Sequence, residues 1–194
     1  TVLSQPYIVG DFVWSAIDYL GEAGIGRIYP PGQTAAPHWI GNHYPWHGGA
    51  CGDLDITGFR RPESYYREIV WGVGPTKLYA TVVPPTRDGR PWNRTLWAVP
   101  SAESHWNWAG KEGQEIDVRA LSNCEEIELF LDGKSLGRQP MPRNSEVKWK
   151  VAYRPGTLSA KGYSGGKLIT ETKVATTGAA ASVQLAPDRA ILNA

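Results

Sequence analysis

Five carboxylates, Asp11, Asp18, Glu22, Asp53 and Asp55, share the first 55 residues with His38, His43, His47 and Cys51. Residues of these types are what acid–base or metal chemistry is built from. General acid–base work needs carboxyl groups facing one another in a formed pocket. Asp18 and Glu22 are close enough in sequence to approach one another, but capping, ion pairing or water binding explains all five carboxylates more simply. Asp18 and the Asp53/Asp55 pair are also placed to shape a pocket. His43, His47 and Cys51 recur every four residues, a spacing that would align them on one helix face. Pro45 and Gly48-Gly49 interrupt any such helix, and a zinc site needs four supported ligands. The run therefore reads as loop packing, with Trp46 and His47 lining a pocket. No metal and no cofactor are expected. The segment GEAGIGR lacks the Lys-Ser/Thr of a phosphate loop and its strand–loop–helix setting. Asn93-Arg94-Thr95 fits a glycosylation sequon by chance.

Aromatic side chains are the second chemical signal: nine Trp and nine Tyr against three Phe. Trp and Tyr join an apolar face to a polar tip, which suits stacking on the C–H face of a sugar as well as filling a core. The segment HWNWAGKEG concentrates His105, Trp106 and Trp108. A sugar platform is one reading. The other is an interdomain wedge, with the aromatics packed in the core of a β-domain.

The elements that must carry these residues differ along the chain. YIVGDFVWSAID (7–18) is an apolar run rich in β-branched and aromatic residues, the pattern of a buried strand. Residues 21–61 are punctuated by Gly and Pro, and a loop of that length is usually functional. In RPESYYREIVWG, Pro62 suits the first helical position, Glu63 the first turn and Gly72 the stop, giving a helix over 62–72. Strands are expected at 77–83, 115–121, 125–131, 147–153, 157–163 and 167–176. Asp132-Gly133 and Gly165-Gly166 serve as hairpin turns. Residues 177–182 (TTGAAA) read as a linker, and SVQLAPDRAILNA as the start of a further strand.

Composition narrows the class. The 194 residues carry 20 Lys plus Arg against 19 Asp plus Glu, a formal charge of +1. This balance gives no basic footprint for nucleic acid, and no apolar stretch approaches the length of a membrane span. Cys51 and Cys124 are too few for a disulfide scaffold and fall in different predicted domains. The first residues lack an initiator Met and signal-peptide features, and they read like the middle of a longer protein.

Two blocks carry a resemblance. GDFVWSAIDYLGE (10–22) with DLDITGFRRPESYYREIVW (53–71) is similar to the last strand and last helix of the (β/α)8 barrel in family 2 glycoside hydrolases. SHWNWAGKEGQEIDVRALSNCEEIELFLDGKSLGRQ (104–139) with VAYRPGTLSAKGYSGGK (151–167) resembles the immunoglobulin-like domain that follows the barrel in a bacterial β-galactosidase subgroup.

The resemblance implies a mainly β fold, an immunoglobulin-like β-sandwich preceded by a strand–loop–helix remnant of a (β/α)8 barrel. Residues 1–74 would form the barrel end, 75–178 the sandwich, and 179–194 a linker with the first strand of another β-domain. It implies a retaining exo-β-glycosidase, most nearly a β-galactosidase, whose two catalytic glutamates precede Thr1. No catalytic residue then falls in this chain, which alone would be inactive. Trp14 would bind substrate as the floor of the sugar subsite, followed by a cis peptide bond to Ser15. Partners would be the carbohydrate and the rest of the barrel. An uncovered barrel segment would also expose apolar surface and favour a homo-oligomer. The rival expectation is a non-catalytic sandwich that binds carbohydrate or a partner domain.

Overall fold

The computed structural model describes residues 4–10, 12–21, 25–26, 28–29, 48–86, 93–94, 98, 102–180, 182, 184 and 186. In chain order they form β1 (Tyr19–Leu20), β2 (Ile28–Tyr29), β3 (Gly48–Gly49), α1 (Pro62–Trp71), β4 (Leu78–Val82), β5 (Asn93–Arg94), β6 (Glu115–Ser122), β7 (Glu126–Leu131), β8 (Lys134–Pro140), β9 (Val147–Ala152), β10 (Thr157–Ser164) and β11 (Lys167–Ala175).

Seven of these strands make the sandwich. One sheet has the order β4-β6-β9, the other β11-β10-β7-β8, and every pairing is antiparallel. The chain crosses from one sheet to the other between β6 and β7, β8 and β9, and β9 and β10, giving two facing antiparallel sheets as in immunoglobulin-like sandwiches. Strand alternation explains why the sheets face each other. In β9, Val147, Trp149 and Val151 are buried while Lys148, Lys150 and Ala152 are exposed. In β7, Ile127, Leu129 and Leu131 are buried between partly exposed neighbours. With Val118, Ala120, Leu158, Ala160, Trp106 and Tyr153 they build one apolar core. Asp132-Gly133 and Gly165-Gly166 close the β7–β8 and β10–β11 hairpins. All four residues have positive φ, as the tight turn that matches strand twist requires.

The expected strands are found with ends moved by one or two residues, and β8 is an addition. Its sequence, KSLGRQP, lacks an alternating apolar face and contains Gly137 and Pro140, which punctuate a strand pattern. It lies at a sheet edge, where pairing to β7 alone suffices. Residues 182, 184 and 186 are in no strand.

Helix α1 begins with Pro62 at its first position and carries Glu63 in its first turn. Gly72, at φ 65°, ends it by donating its N–H to the Glu68 carbonyl. α1 lies against β4 and β6 of the sandwich. Tyr65 stacks on Tyr79 at a centroid distance of 4.0 Å, and the Tyr66 hydroxyl donates to the Asn144 carbonyl at 2.7 Å.

The buried-strand expectation for residues 7–18 needs correcting. Among its described residues only Ile17 enters a β-bridge, with Leu54. Val9, Phe12 and Trp14 are 107%, 104% and 72% exposed. A strand exists only where a neighbour takes up its N–H and C=O groups, and among the described residues of 7–13 no β-pairing partner is found.

Candidate functional site

Trp14 stands at the start of a short segment pinned on its far side. The Trp14–Ser15 peptide is cis, as the resemblance implied. Ser15 donates its N–H to the Cys51 carbonyl at 3.2 Å, and the Ser15 carbonyl accepts from Asp53 N–H at 3.0 Å. Leu54 N–H donates to the Ala16 carbonyl and Asp18 N–H to the Leu54 carbonyl. β1 then pairs with β3. Segments 15–20 and 48–54 are thus laced together over their whole length.

The strongest link in this lacing is ionic. Asp18 is 8% exposed. Arg61 donates Nη1–H to Asp18 Oδ1 at 2.7 Å and Nη2–H to Oδ2 at 2.5 Å, the two-pronged arrangement that makes arginine–carboxylate pairs directional. Asp18 Oδ1 also accepts Gly52 N–H at 2.9 Å, and Arg61 Nη1–H reaches the Gly52 carbonyl at 2.9 Å. Arg61 is the N-cap of α1, so one residue couples the Trp14 segment to the helix. Gly52 admits no side chain here, because a Cβ would run into the backbone of Ile17 and Asp18.

Asp53 and Asp55 are engaged as well. Asp53 pairs with Arg67 at 2.7 Å. Asp55 Oδ1 accepts the Thr57 hydroxyl at 2.7 Å and the N–H groups of Thr57 and Phe59. These bonds, the Thr57 hydroxyl foremost, hold its carboxyl below the usual range. Asp18, Asp53 and Asp55 therefore pair and cap. Asp11, Glu22, His38, His43, Trp46 and His47 lie outside the described residues. Cys51 and Cys124 are both buried free thiols.

Trp14 itself is open. Its indole Nε1–H donates to the Tyr19 hydroxyl at 3.0 Å, and the two rings are nearly perpendicular at 86°, with centroids 6.3 Å apart. Tyr19 is thus engaged at the indole's N–H edge. Tyr19 and Arg61 escaped the sequence reading. The signal for Arg61 was present, since a buried Asp18 demands a cation and Arg61 directly precedes the helix.

The HWNW segment belongs to the sandwich. Trp106 is fully buried, donates Nε1–H to the Arg154 carbonyl at 2.9 Å, and meets Tyr153 edge-on. Its carbonyl accepts the Thr176 hydroxyl at 2.5 Å. His105 lies 4.4 Å from Trp108 between ring centroids. These aromatics close one end of the core.

Known proteins resemble the chain over most of its length. The chain is 36% identical to a glycosyl hydrolase family 2 member from Bacteroides cellulosilyticus, with a TM-score of 0.75, over 91% of this chain and 23% of that one. The chain matches part of a family 2 glycoside hydrolase. A β-glycosidase structure from Bacteroides vulgatus aligns over 97% of this chain and 19% of that one, at 26% identity and a TM-score of 0.66. The β-galactosidase BoGH2A of Bacteroides ovatus is 30% identical over the full chain, which spans 18% of its length. A putative β-glucuronidase of Formosa agariphila is 28% identical over 88% of the chain, or 13% of its own length. Residues 113–170 match a family described as a domain of unknown function (DUF4982). In family 2 terms that block is most of the sandwich, and the Trp14 segment lies wholly before it.

Proposed function

We propose that the chain is the portion of a retaining exo-β-glycosidase that lends Trp14 to the sugar subsite and uses the sandwich as scaffold. Residues 1–74 then complete a (β/α)8 barrel contributed by the rest of the polypeptide. The observation that carries this reading is the 72% exposed Trp14 indole on a backbone fixed by its neighbours. A ring held by one edge offers a face to a pyranose. The exposed apolar residues Val9, Phe12 and Val13 are those that flanking barrel strands would cover.

Retaining hydrolysis needs two carboxyl groups about 5–5.5 Å apart, one as nucleophile and one as acid/base. The resemblance to family 2 glycoside hydrolases puts both groups on glutamates elsewhere in the polypeptide, and the commitment of Asp18, Asp53 and Asp55 to ion pairs and a turn agrees with an inactive chain. The specificity we assign is β-galactosidase rather than β-glucuronidase. What supports it is the similarity to the β-galactosidase BoGH2A of Bacteroides ovatus, 30% identical over the full chain.

A panel of nitrophenyl β-glycosides tests the proposal. The chain alone should match a heat-killed control, while the longer polypeptide should cleave the galactoside. Turnover by the chain alone, or preference for the glucuronide, would refute the corresponding part.

A further inference from the structure

We infer that Tyr19 is a positioning residue for the Trp14 platform, an inference that rests on the glycosidase reading above. An exposed indole on a loop rotates freely unless something holds it, and a ring that must lie flat under a sugar loses binding energy to that rotation. The indole N–H lies in the ring plane, so its acceptor sits beside the ring and not over it. Tyr19 supplies that acceptor at 3.0 Å, and its ring stands at 86° to the indole. The contact fixes the indole plane while leaving 72% of the residue exposed.

Tyr19 is held in turn by features of no other evident use. It pairs in β1 with Gly49 of β3. A Cβ on Gly49 would come within 2.9 Å of Tyr19 Cζ, and one on Gly48 would collide with the Tyr19 carbonyl. Gly49 therefore leaves room for the phenol ring and Gly48 for the backbone that carries it. The neighbouring Asp18–Arg61 pair fixes the backbone immediately before it. The chain of support runs from Gly48-Gly49 to Tyr19 to Trp14.

Two measurements test this. In 15N-labelled chain, Tyr19→Phe should shift one indole N–H resonance among those of the nine Trp and leave the other indole resonances in place. If no indole resonance moves, or all of them do, the assignment of Tyr19 is wrong. In the longer polypeptide, Tyr19→Phe should raise KM for nitrophenyl β-galactoside about 3- to 10-fold with kcat within about twofold, the size of one lost hydrogen bond. In a Trp14→Phe background, which lacks the indole N–H, Tyr19→Phe should add no further loss. Equal losses in both backgrounds would show that Tyr19 acts elsewhere and would overturn the inference. If the wild-type polypeptide cleaves no glycoside, the glycosidase reading fails, and the resonance experiment still decides whether Tyr19 holds Trp14.

Discussion

Tyr65 of α1 and Tyr79 of β4 lie face to face, with centroids 4.0 Å apart and planes 10° from parallel. Arg60 covers the Tyr65 ring at 4.1 Å from its centroid, and the Tyr79 hydroxyl is bonded to Ser104. Arg60 also pairs with Glu68 at 2.5 Å, and Glu68 Oε1 accepts Thr76 N–H from the turn that joins helix to strand. Gly74 sits so close to the Glu68 carboxyl that a side chain there would collide with it. The helix is therefore fastened to the sandwich by a stack of rings and one carboxylate. Tyr65→Ala should cost about 2 kcal/mol, and a Tyr65/Tyr79 double-mutant cycle should return a coupling of about 0.5–1.5 kcal/mol. Denaturant unfolding measures both, and additive losses would mean the stack contributes nothing of its own.

Trp106 should be the costliest single truncation in the sandwich. It is fully buried, and its indole N–H is satisfied by Arg154. Trp106→Ala should lose about 3–5 kcal/mol, seen as a large drop in Tm. A loss under about 1 kcal/mol would place Trp106 outside the core.

Asp18 and Arg61 should respond as a unit. Removing one partner of a largely buried pair leaves the other charge uncompensated, and Arg61→Met should cost about 2–4 kcal/mol. Arg61→Lys keeps the charge but loses the fork that spans both Asp18 oxygens and the Gly52 carbonyl, so it should recover only part of that loss. Full recovery by lysine would reduce the clasp to simple charge neutralisation.

Two glutamates on α1 should tilt stability in opposite senses with pH. Thr76, through its hydroxyl and N–H, with Arg60 holds the Glu68 carboxyl below its ordinary 4.5. The stability Glu68 confers is present above 4.5 and fades as pH falls through the lowered folded value. Glu68→Gln should therefore weaken the protein at neutral pH and flatten its acid loss. Burial pushes Glu63 above 4.5, and among the described residues its buried Oε2 has no partner. Its protonated form stabilises below 4.5, and that contribution vanishes as pH rises through the raised value. Glu63→Gln should raise Tm at pH 7 and change little near pH 4. Thermal melts of both variants from pH 3 to 8 check the signs.

What the sequence revealed depended on whether the governing forces were local. Asp132-Gly133 and Gly165-Gly166 announced two hairpins, because a turn with positive φ restricts its residues whatever surrounds it. Pro62, Glu63 and Gly72 bounded the helix for similar local reasons. The alternation in 147–153 marked a half-buried strand. Residues 7–18 misled, because an apolar run says that something must cover it and not what does. Tyr19 carried no signal at all: its ring is accommodated only because Gly49, thirty residues later in the chain, has no side chain.

The central claim is that Trp14 is a sugar platform, and the most direct test is kinetic comparison of Trp14→Ala with the wild-type longer polypeptide on nitrophenyl β-galactoside. Trp14 is largely exposed, so its loss should leave Tm within about 2 °C, while kcat/KM should fall at least about tenfold, equivalent to about 1.4 kcal/mol of lost transition-state binding. Unchanged kcat/KM in a folded variant would contradict the account and leave Trp14 as an exposed ring with no part in catalysis.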